Sequence, residues 1–311
     1  MTIRPWRLYN IVQALPLGVG AMLMLYLYES PKFLASRGQY AKALEVLRSI
    51  YERNGGKREE YPVKRLTQQP SDTENLAGQS FWQTLVLQTW PIFKIPLLWR
   101  TIQLFFLMII CCTASNVFVM WYPTIVNLFF QSFNVPIRTD QTFCERAFGE
   151  TNIFPELETQ HKCIDEISTN TIYAGMLYGL FYCLVSGIVS KISSKPRLVL
   201  IACLLVSGSS MILVNLKNPV SNMIFFTLLP ATSVGVGCIF PYFVDLYPTR
   251  YRGMATSLGM MAGRLSSLVI VSVMGTIITQ YCHIIFYAWS AVILSSVVVC
   301  LFLPADRKSP K

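Results

Sequence analysis

Arg264 is the one charged residue placed deep inside a long apolar run of the sequence, from 254 to 279. A charge in such surroundings needs a counter-charge, a hydrogen-bonding partner or a water-filled cavity. No acidic residue sits at a matching depth in the other apolar runs. Arg264 is therefore a candidate for binding a substrate or a coupling ion, with its counter-charge on the substrate or in helices outside this sequence. Pairing with backbone carbonyls, or a side chain that reaches to the membrane surface, is the structural alternative.

Aromatic and amide side chains in two other apolar runs form a second set of candidates for the lining of a cavity. Aromatic rings bind organic solutes by stacking and cations by cation–π attraction. Helix packing and aromatic belts at a membrane surface are the alternative roles. The set consists of Asn116, Trp121, Tyr122, Tyr173, Tyr178 and Tyr182. In a further run, Gly235 and Gly237 with Pro230 and Pro241 either permit a helix to bend or allow close helix packing.

The sequence has no arrangement of residues that is typical of an enzyme. His161 and His283 are isolated, without a nucleophile or metal-ligand spacing around them. No GxxxxGK[ST] phosphate-binding loop is present. No basic face interleaved with aromatic residues argues for nucleic acid. We therefore expect no catalysis, no metal or other cofactor, no ATP-driven step and no nucleic-acid partner.

Apolar runs dominate the chain of 311 residues, which is 53% hydrophobic and 14% charged, with a mean hydropathy of +0.46. A helix needs about 20 residues to cross the hydrocarbon layer of a bilayer, and helix satisfies the backbone hydrogen bonds in lipid. The sequence therefore predicts an all-α, polytopic membrane protein with about seven transmembrane helices. The runs are 8–28, 101–125, 171–190, 197–215, 221–244, 254–279 and 282–303.

The basic residues lie between these runs and predict the orientation of the chain. With the amino terminus outside, nineteen basic residues fall in segments that face the cytoplasm and six in segments that face outward. Cytoplasmic loops carry such an excess of Lys and Arg. We therefore expect a carboxyl terminus in the cytoplasm and an exterior loop over 131–170, in the plasma membrane or in an intracellular vesicle membrane.

Two of the nine cysteines lie in the polar loop 131–170, while the other seven fall inside apolar runs or at the edge of one. The seven are expected to act as small hydrophobic residues in helix packing. Cys144 and Cys163, in an oxidising exterior, are able to pair and close a loop of about 20 residues. Two free thiols are the alternative.

The segment 29–100 is the only sizeable polar part of the chain. A short helix after Ser30, led by a proline and stopped by Gly38, is predicted. Apolar residues at amphipathic spacing predict a second helix over about 39–54. We interpret the segment as a cytoplasmic linker with short amphipathic helices.

Three stretches carry longer motifs: "YESPKFLASRGQYAKALEVLRSIYERNG" over 28–55, "NVFVMWYPTIVN" over 116–127 and "FVDLYPTRYRGMATS" over 243–257. In that order they resemble the segment after the sixth helix, the seventh helix, and the junction of the tenth and eleventh helices in one family. That family is the major facilitator superfamily, with its sugar porters, organic-ion transporters and synaptic vesicle glycoprotein 2 relatives. The opening "RPWRLYNIVQALP" is similar to the approach to the sixth helix in the synaptic vesicle glycoprotein 2 group.

The resemblance implies the carboxyl-terminal six-helix bundle of a major facilitator fold plus one preceding helix. The domains would be a sixth-helix equivalent over 1–28, the linker, the bundle over 101–304 and a cytoplasmic tail over 305–311. The resemblance also implies a charge network at the cytoplasmic gate, which locks the gate in one state. Its members are Asp245, Arg250 and Arg252, for which helix capping and the positive-inside bias are the alternative roles.

The function implied by the resemblance is secondary active or facilitative transport of a small organic solute by alternating access. That mechanism needs two bundles, so we expect a missing amino-terminal half or a second chain as partner, besides the lipid bilayer and the solute. We favour a truncated or partial chain. The alternative is a non-transporting membrane protein, like the synaptic vesicle glycoproteins, that acts through binding or trafficking. A seven-helix receptor conflicts with the long segment 29–100.

Overall fold

The computed structural model describes residues 5–36, 38–66, 81–131, 141–148, 168–191 and 195–304. Regular structure in these residues is helical, with no strand among them. The chain divides into two compact units, Met1–Thr84 and Leu85–Lys311, and each is described by itself. The all-α fold class predicted from the apolar runs is confirmed.

The first unit contains α1 (Pro5–Met24), α2 (Pro31–Ser36) and α3 (Tyr40–Arg53). Gly38 and Gly55, at φ +75° and +91°, follow α2 and α3 in the left-handed conformation that glycine adopts without strain. Helix α2 packs against α3, where Ala43 is fully buried. The two helices predicted in this segment are confirmed, while its cytoplasmic location stays a prediction.

The second unit holds the longer apolar helices. After α4 (Phe81–Thr89), which begins just before this unit, they are α5 (Leu97–Gln131), α6 (Phe143–Phe148), α7 (Thr169–Lys191), α8 (Pro196–Leu213), α9 (Pro219–Leu228), α10 (Thr232–Leu246) and α11 (Thr249–Leu301). Helices α9 and α10 are joined through a bend at Pro230, where ψ is 18°. Helix α11 bends at Tyr281, with φ −122° and ψ 31°.

Five segments of the described chain are long and apolar enough to cross a membrane. They are Leu97–Gln131, Thr169–Lys191, Pro196–Leu213, Pro219–Leu246 and Tyr251–Leu301. The last contains two of the predicted runs, 254–279 and 282–303, on either side of the bend at Tyr281. The first predicted run, 8–28, is helical as far as Met24, where α1 ends, but it is not among the five, so a span at that position stays a prediction.

The core of the second unit is built from α5, α8, α10 and α11, which pack on one another. Glycines allow close approach: a Cβ on Gly263 of α11 would lie 3.0 Å from the Cβ and Sγ atoms of Cys112 on α5. A Cβ on Gly235 would lie 3.0 Å from Cδ1 of Leu200, whereas a Cβ on Gly237 would meet no atom within 4 Å. Close packing thus explains Gly235, while the bend of this span lies at Pro230.

One end of the second unit, which we call the α6 end, is covered by the short helix α6. Thr142 and Glu145 form a capping box there. The backbone N–H of Thr142 donates to Oε2 of Glu145 at 2.9 Å, and the N–H of Glu145 donates to Oγ1 of Thr142 at 3.4 Å. The bond from the Thr142 backbone lowers the pKa of the Glu145 carboxyl, because it stabilises the ionised form.

A disulfide joins α6 to the bend of α11. Cys144 is bonded to Cys282, with 5.8 Å between their Cα atoms. The predicted pairing of Cys144 with Cys163 is therefore corrected; Cys163 itself lies outside the described residues. The position of Cys282 at the edge of an apolar run favours helix packing for it, and sequence proximity says nothing about a partner 138 residues away.

Aromatic packing closes the same end. Phe143 of α6 is fully buried, and its ring centroid lies 5.6 Å from that of Phe129, 5.0 Å from that of Phe226 and 6.0 Å from that of Phe286. Asn127 of α5 holds the start of α7, because its Oδ1 accepts from the N–H of Ser168 at 3.0 Å. The α6 end is thus joined covalently, by ring packing and by hydrogen bonds.

The opposite end, which we call the Tyr247 end, is held by a buried tyrosine. Tyr247 follows α10, and its hydroxyl donates to Oγ1 of Thr101 on α5 at 2.8 Å. The Thr101 hydroxyl in turn donates to the carbonyl of Ile92 at 2.8 Å. Arg197, at the start of α8, donates to the carbonyl of Leu301 at the end of α11. A cation at this position also interacts favourably with the negative end of the α11 helix dipole.

Candidate functional site

Arg264 lies near the middle of the part of α11 that precedes the bend at Tyr281. It follows Tyr251 by 13 residues, which is about 20 Å along a helix, and the bend at Tyr281 lies about 25 Å further on. The side chain is exposed, and it forms no hydrogen bond or ion pair with the residues that the structure describes. Within the described residues, the second unit therefore gives this charge no counter-charge.

A chain of two hydrogen bonds links α5 to the turn of α11 that carries Arg264. Nδ2 of Asn116 donates to the hydroxyl of Ser267 at 3.1 Å, and that hydroxyl donates to the carbonyl of Gly263 at 2.7 Å. Ser267 is three residues from Arg264, so the two are neighbours on the helix surface, with about 5–6 Å between their Cβ atoms. Asn116 is exposed on α5. The structure thus brings Asn116 and Arg264 to one polar patch, which we call the Arg264 patch.

Trp121 is held against α11, further along α5 from Asn116. Its indole Nε1 donates to the carbonyl of Val271 at 3.4 Å, and a Cβ on Gly275 would lie 2.6 Å from its ring. The ring is half-buried. The contacts indicate that Trp121 fixes the α5–α11 packing, and Gly275 is the small residue that makes room for it.

Tyr122, Tyr178 and Tyr182 form a second group, which we call the tyrosine cluster. The ring centroids of Tyr122 and Tyr178 are 4.6 Å apart, and those of Tyr178 and Tyr182 are 4.8 Å apart. Tyr182 donates to the carbonyl of Thr227 at 3.1 Å. The cluster adjoins a cavity of about 520 Å³ between α5, α7 and α9, whose wall includes Tyr122, Tyr178, Phe130 and Thr227.

Tyr173 does not belong to the tyrosine cluster. It precedes Tyr178 by five residues on α7, which turns it by about 140° around the helix axis, and it is 61% exposed. The Arg264 patch and the tyrosine cluster are also separate from each other. Asn116 and Tyr122 differ by six positions on α5, or about 120° around its axis, so the predicted candidates occupy two different faces of α5.

The proposed gate residues lie at the Tyr247 end. Asp245 is exposed in the last turn of α10, and Arg252 is partly buried in the first turn of α11. Only the short connection at Tyr247 and Pro248 separates the two helices. The side chain of Arg250 lies outside the described part of the structure. A gate made of these charges stays a prediction.

Three residues at these positions were missed by the sequence analysis. Ser267 and Thr227 are hydroxyl residues inside apolar helices, where a helix-internal hydrogen bond is the usual expectation, so only the fold reveals their contacts across helices. Tyr247 is different, because it lies inside the motif over 243–257. Its position in the motif, between the gate candidates Asp245 and Arg250, indicates a packing role for the motif besides its charges.

Two family models match the chain. Residues 146–311, more than half of the chain, match the model described as Major Facilitator Superfamily. Residues 2–129 match the model described as Sugar (and other) transporter. Both families consist of transporters and not of enzymes. No curated protein matches the chain.

Proposed function

This chain belongs to the major facilitator superfamily and acts in transmembrane solute transport, and on that premise we propose that it moves a small organic solute by alternating access. The Arg264 patch is the part of the chain that binds the solute. The tyrosine cluster and its cavity form a second, less polar wall of the pathway. A closer relation to the synaptic vesicle glycoprotein 2 group is part of the proposal and rests on the motifs over 1–55 and 116–127.

The observation that carries the proposal is the exposed position of Arg264, about midway along the part of Tyr251–Leu301 that precedes the bend at Tyr281. A charge at this depth costs a few kcal/mol to insert. The described residues of this chain do not offset that cost with an ion pair. A charge that weakens insertion and has no structural partner is expected where a solute or a water-filled pathway meets the helix.

The mechanism requires the second unit to move as one body against another bundle. The disulfide and aromatic packing at the α6 end, and the Tyr247–Thr101 bond at the other end, support such rigidity. We propose that Asp245, Arg250 and Arg252 stabilise the state in which the Tyr247 end is closed. They would act on the conformational equilibrium and not on the solute itself. The second bundle comes from an amino-terminal half or from another chain.

We propose that the α6 end faces the exterior and the Tyr247 end faces the cytoplasm. The excess of basic residues between the predicted spans supports this orientation. The disulfide between Cys144 and Cys282 supports it as well, because disulfides persist in oxidising compartments and are rare in the cytosol. Labelling a Glu59→Cys variant in intact cells tests the orientation: the added thiol should react only after permeabilisation. Reaction in intact cells would contradict the proposed orientation and indicate the opposite one.

The transport proposal is tested by uptake into vesicles that contain the purified chain. The panel consists of radiolabelled organic cations, organic anions and sugars, and empty vesicles give the background. We expect saturable uptake of at least one class above that background, from the purified chain alone if two copies supply the two bundles, or otherwise after a second chain is added. Zero flux from folded protein, together with a stable partner recovered by crosslinking, would favour the non-transporting alternative. Flux that appears only after a second chain is added would show where the other bundle comes from.

A further inference from the structure

Far from the helix ends, the membrane-spanning segments carry positive charge only. Arg264 is the only charged residue of these segments that lies far from a helix end. Acidic residues are absent from them except for Asp245, which is in the last turn of α10. A solute that enters the Arg264 patch therefore meets a positive potential from this chain, in surroundings where charges are weakly screened.

The Arg264 patch also presents hydrogen-bonding groups in a usable arrangement. The guanidinium has five N–H donors in a planar fork, a geometry that matches an oxyanion. Asn116 uses one N–H on Ser267, which leaves its second N–H and its carbonyl oxygen. Ser267 holds the amide in place, since its own hydroxyl is bonded to Gly263. The patch thus pairs a cation with a positioned amide.

We propose that the solute is an organic anion, whose carboxylate or other oxyanion binds Arg264 while a neighbouring polar group binds Asn116. This inference rests on the proposed transport function and names its substrate class. The tyrosine cluster does not change the sign, because Tyr122 faces about 120° away from Asn116 around α5. Cation–π attraction at that cluster therefore does not offset the repulsion that an organic cation meets at Arg264.

Binding of three small probes to the purified chain in lipid nanodiscs tests the proposal. Benzoate, benzamide and benzylammonium share a ring and differ in charge. We expect benzoate to bind at least about tenfold more tightly than benzamide, as a charge-assisted hydrogen bond requires, and benzylammonium to bind most weakly. Equal binding of benzoate and benzamide, or tighter binding of benzylammonium, would overturn the proposal.

Two variants connect the preference to the patch. Arg264→Gln should abolish the preference for benzoate over benzamide, whereas Lys217→Gln, which removes an exposed cation at the α6 end, should leave it unchanged. Asn116→Asp places a carboxylate beside Arg264 and should weaken benzoate binding by about tenfold or more without removing the arginine. A preference that survives both changes at the patch contradicts the proposal.

The outcomes also separate this inference from the transport function. Uptake of a sugar or another neutral solute by both the unchanged chain and Arg264→Gln, without any binding of benzoate, would overturn the anion proposal alone. Absence of uptake for every class in the panel, with and without a second chain, would overturn the transport proposal and this inference with it. Competition of benzoate with the transported solute, lost in Arg264→Gln, would support both.

Discussion

The α6 end and the Arg264 patch differ in how far their side chains are buried and bonded to other residues of the chain. At the α6 end, Phe143 is fully buried among three rings and Cys144 is bonded to Cys282. At the patch, Arg264 and Asn116 are exposed, and the arginine has no ion pair within the described residues. This chain thus separates the groups that hold the bundle together from the groups that remain available to a ligand. Changes in the two regions should therefore have different consequences.

The largest effect is expected from Arg264→Ala. Losing a charge-assisted contact costs about 1.5–3 kcal/mol, so uptake of the transported solute should fall by about 10- to 100-fold at low concentration. Membrane insertion should be unaffected or improved, because a charge is removed from the middle of a span. The measurements are initial uptake rate and the amount of protein in the membrane. Unchanged uptake would show that Arg264 does not bind the solute, and the proposed difference in role between the two regions would be wrong.

Removing the disulfide should lower the stability of the fold and leave the solute preference unchanged. The variant Cys144→Ser with Cys282→Ser is expected to lose about 2–4 kcal/mol of stability, seen as a lower midpoint of thermal unfolding in detergent. Its preference among solutes should be unchanged, because the Arg264 patch is not altered. Cys183→Ser is the matched control, since Cys183 is a free, exposed cysteine. An equal shift for the control would show that the α6 end is not held by this bond.

Some of this contrast could be predicted from the sequence and some could not. Hydrophobic run length and the depth of Arg264 depend on local composition, so the all-α class and the isolated charge followed directly from the residues. The partner of Cys144 depends on how α6 folds back over the bend at Tyr281, which is a property of the tertiary structure. The same holds for Asn116 and Tyr122, which are close in sequence but face different helices.

The continuity of the helices shows a second limit of sequence reasoning. Two apolar runs predicted two helices over 254–279 and 282–303, and the structure joins them across a bend at Tyr281. Composition marks the apolar residues, but no glycine or proline lies near 281 to mark a boundary. Pro230, by contrast, does lie at the break between α9 and α10. The runs nevertheless divide at 280–281, where α11 bends, whereas the run 221–244 passes over Pro230 and leaves bending and close packing as alternatives there.

A smaller effect is expected at the Tyr247 end. Tyr247→Phe removes the hydroxyl that donates to Thr101, and a hydrogen bond of this kind contributes about 1 kcal/mol. The stacking of the ring on Phe243, with centroids 5.8 Å apart, is kept. We expect a slightly lower unfolding midpoint and a shift toward the state in which this end is open. Tyr281→Phe is the control, since Tyr281 is 53% exposed. No difference between the two variants would mean that the bond does not hold this end.

The smallest effect concerns the capping box of α6 and depends on pH. Hydrogen bonding lowers the pKa of Glu145 in the folded chain. The stabilisation is therefore fully present above the ordinary carboxyl pKa and is lost as the pH falls through the folded value. Because Glu145 is exposed, solvent screening keeps the gain small, at about 0.5 kcal/mol. Glu145→Gln should lower the unfolding midpoint slightly at pH 7, and this difference should shrink as the pH falls below the ordinary carboxyl pKa, with Glu59→Gln, another exposed carboxylate, as control. A Glu145→Gln effect that is equally large at pH 3 would mean that packing of α6, and not the ionised cap, accounts for the loss.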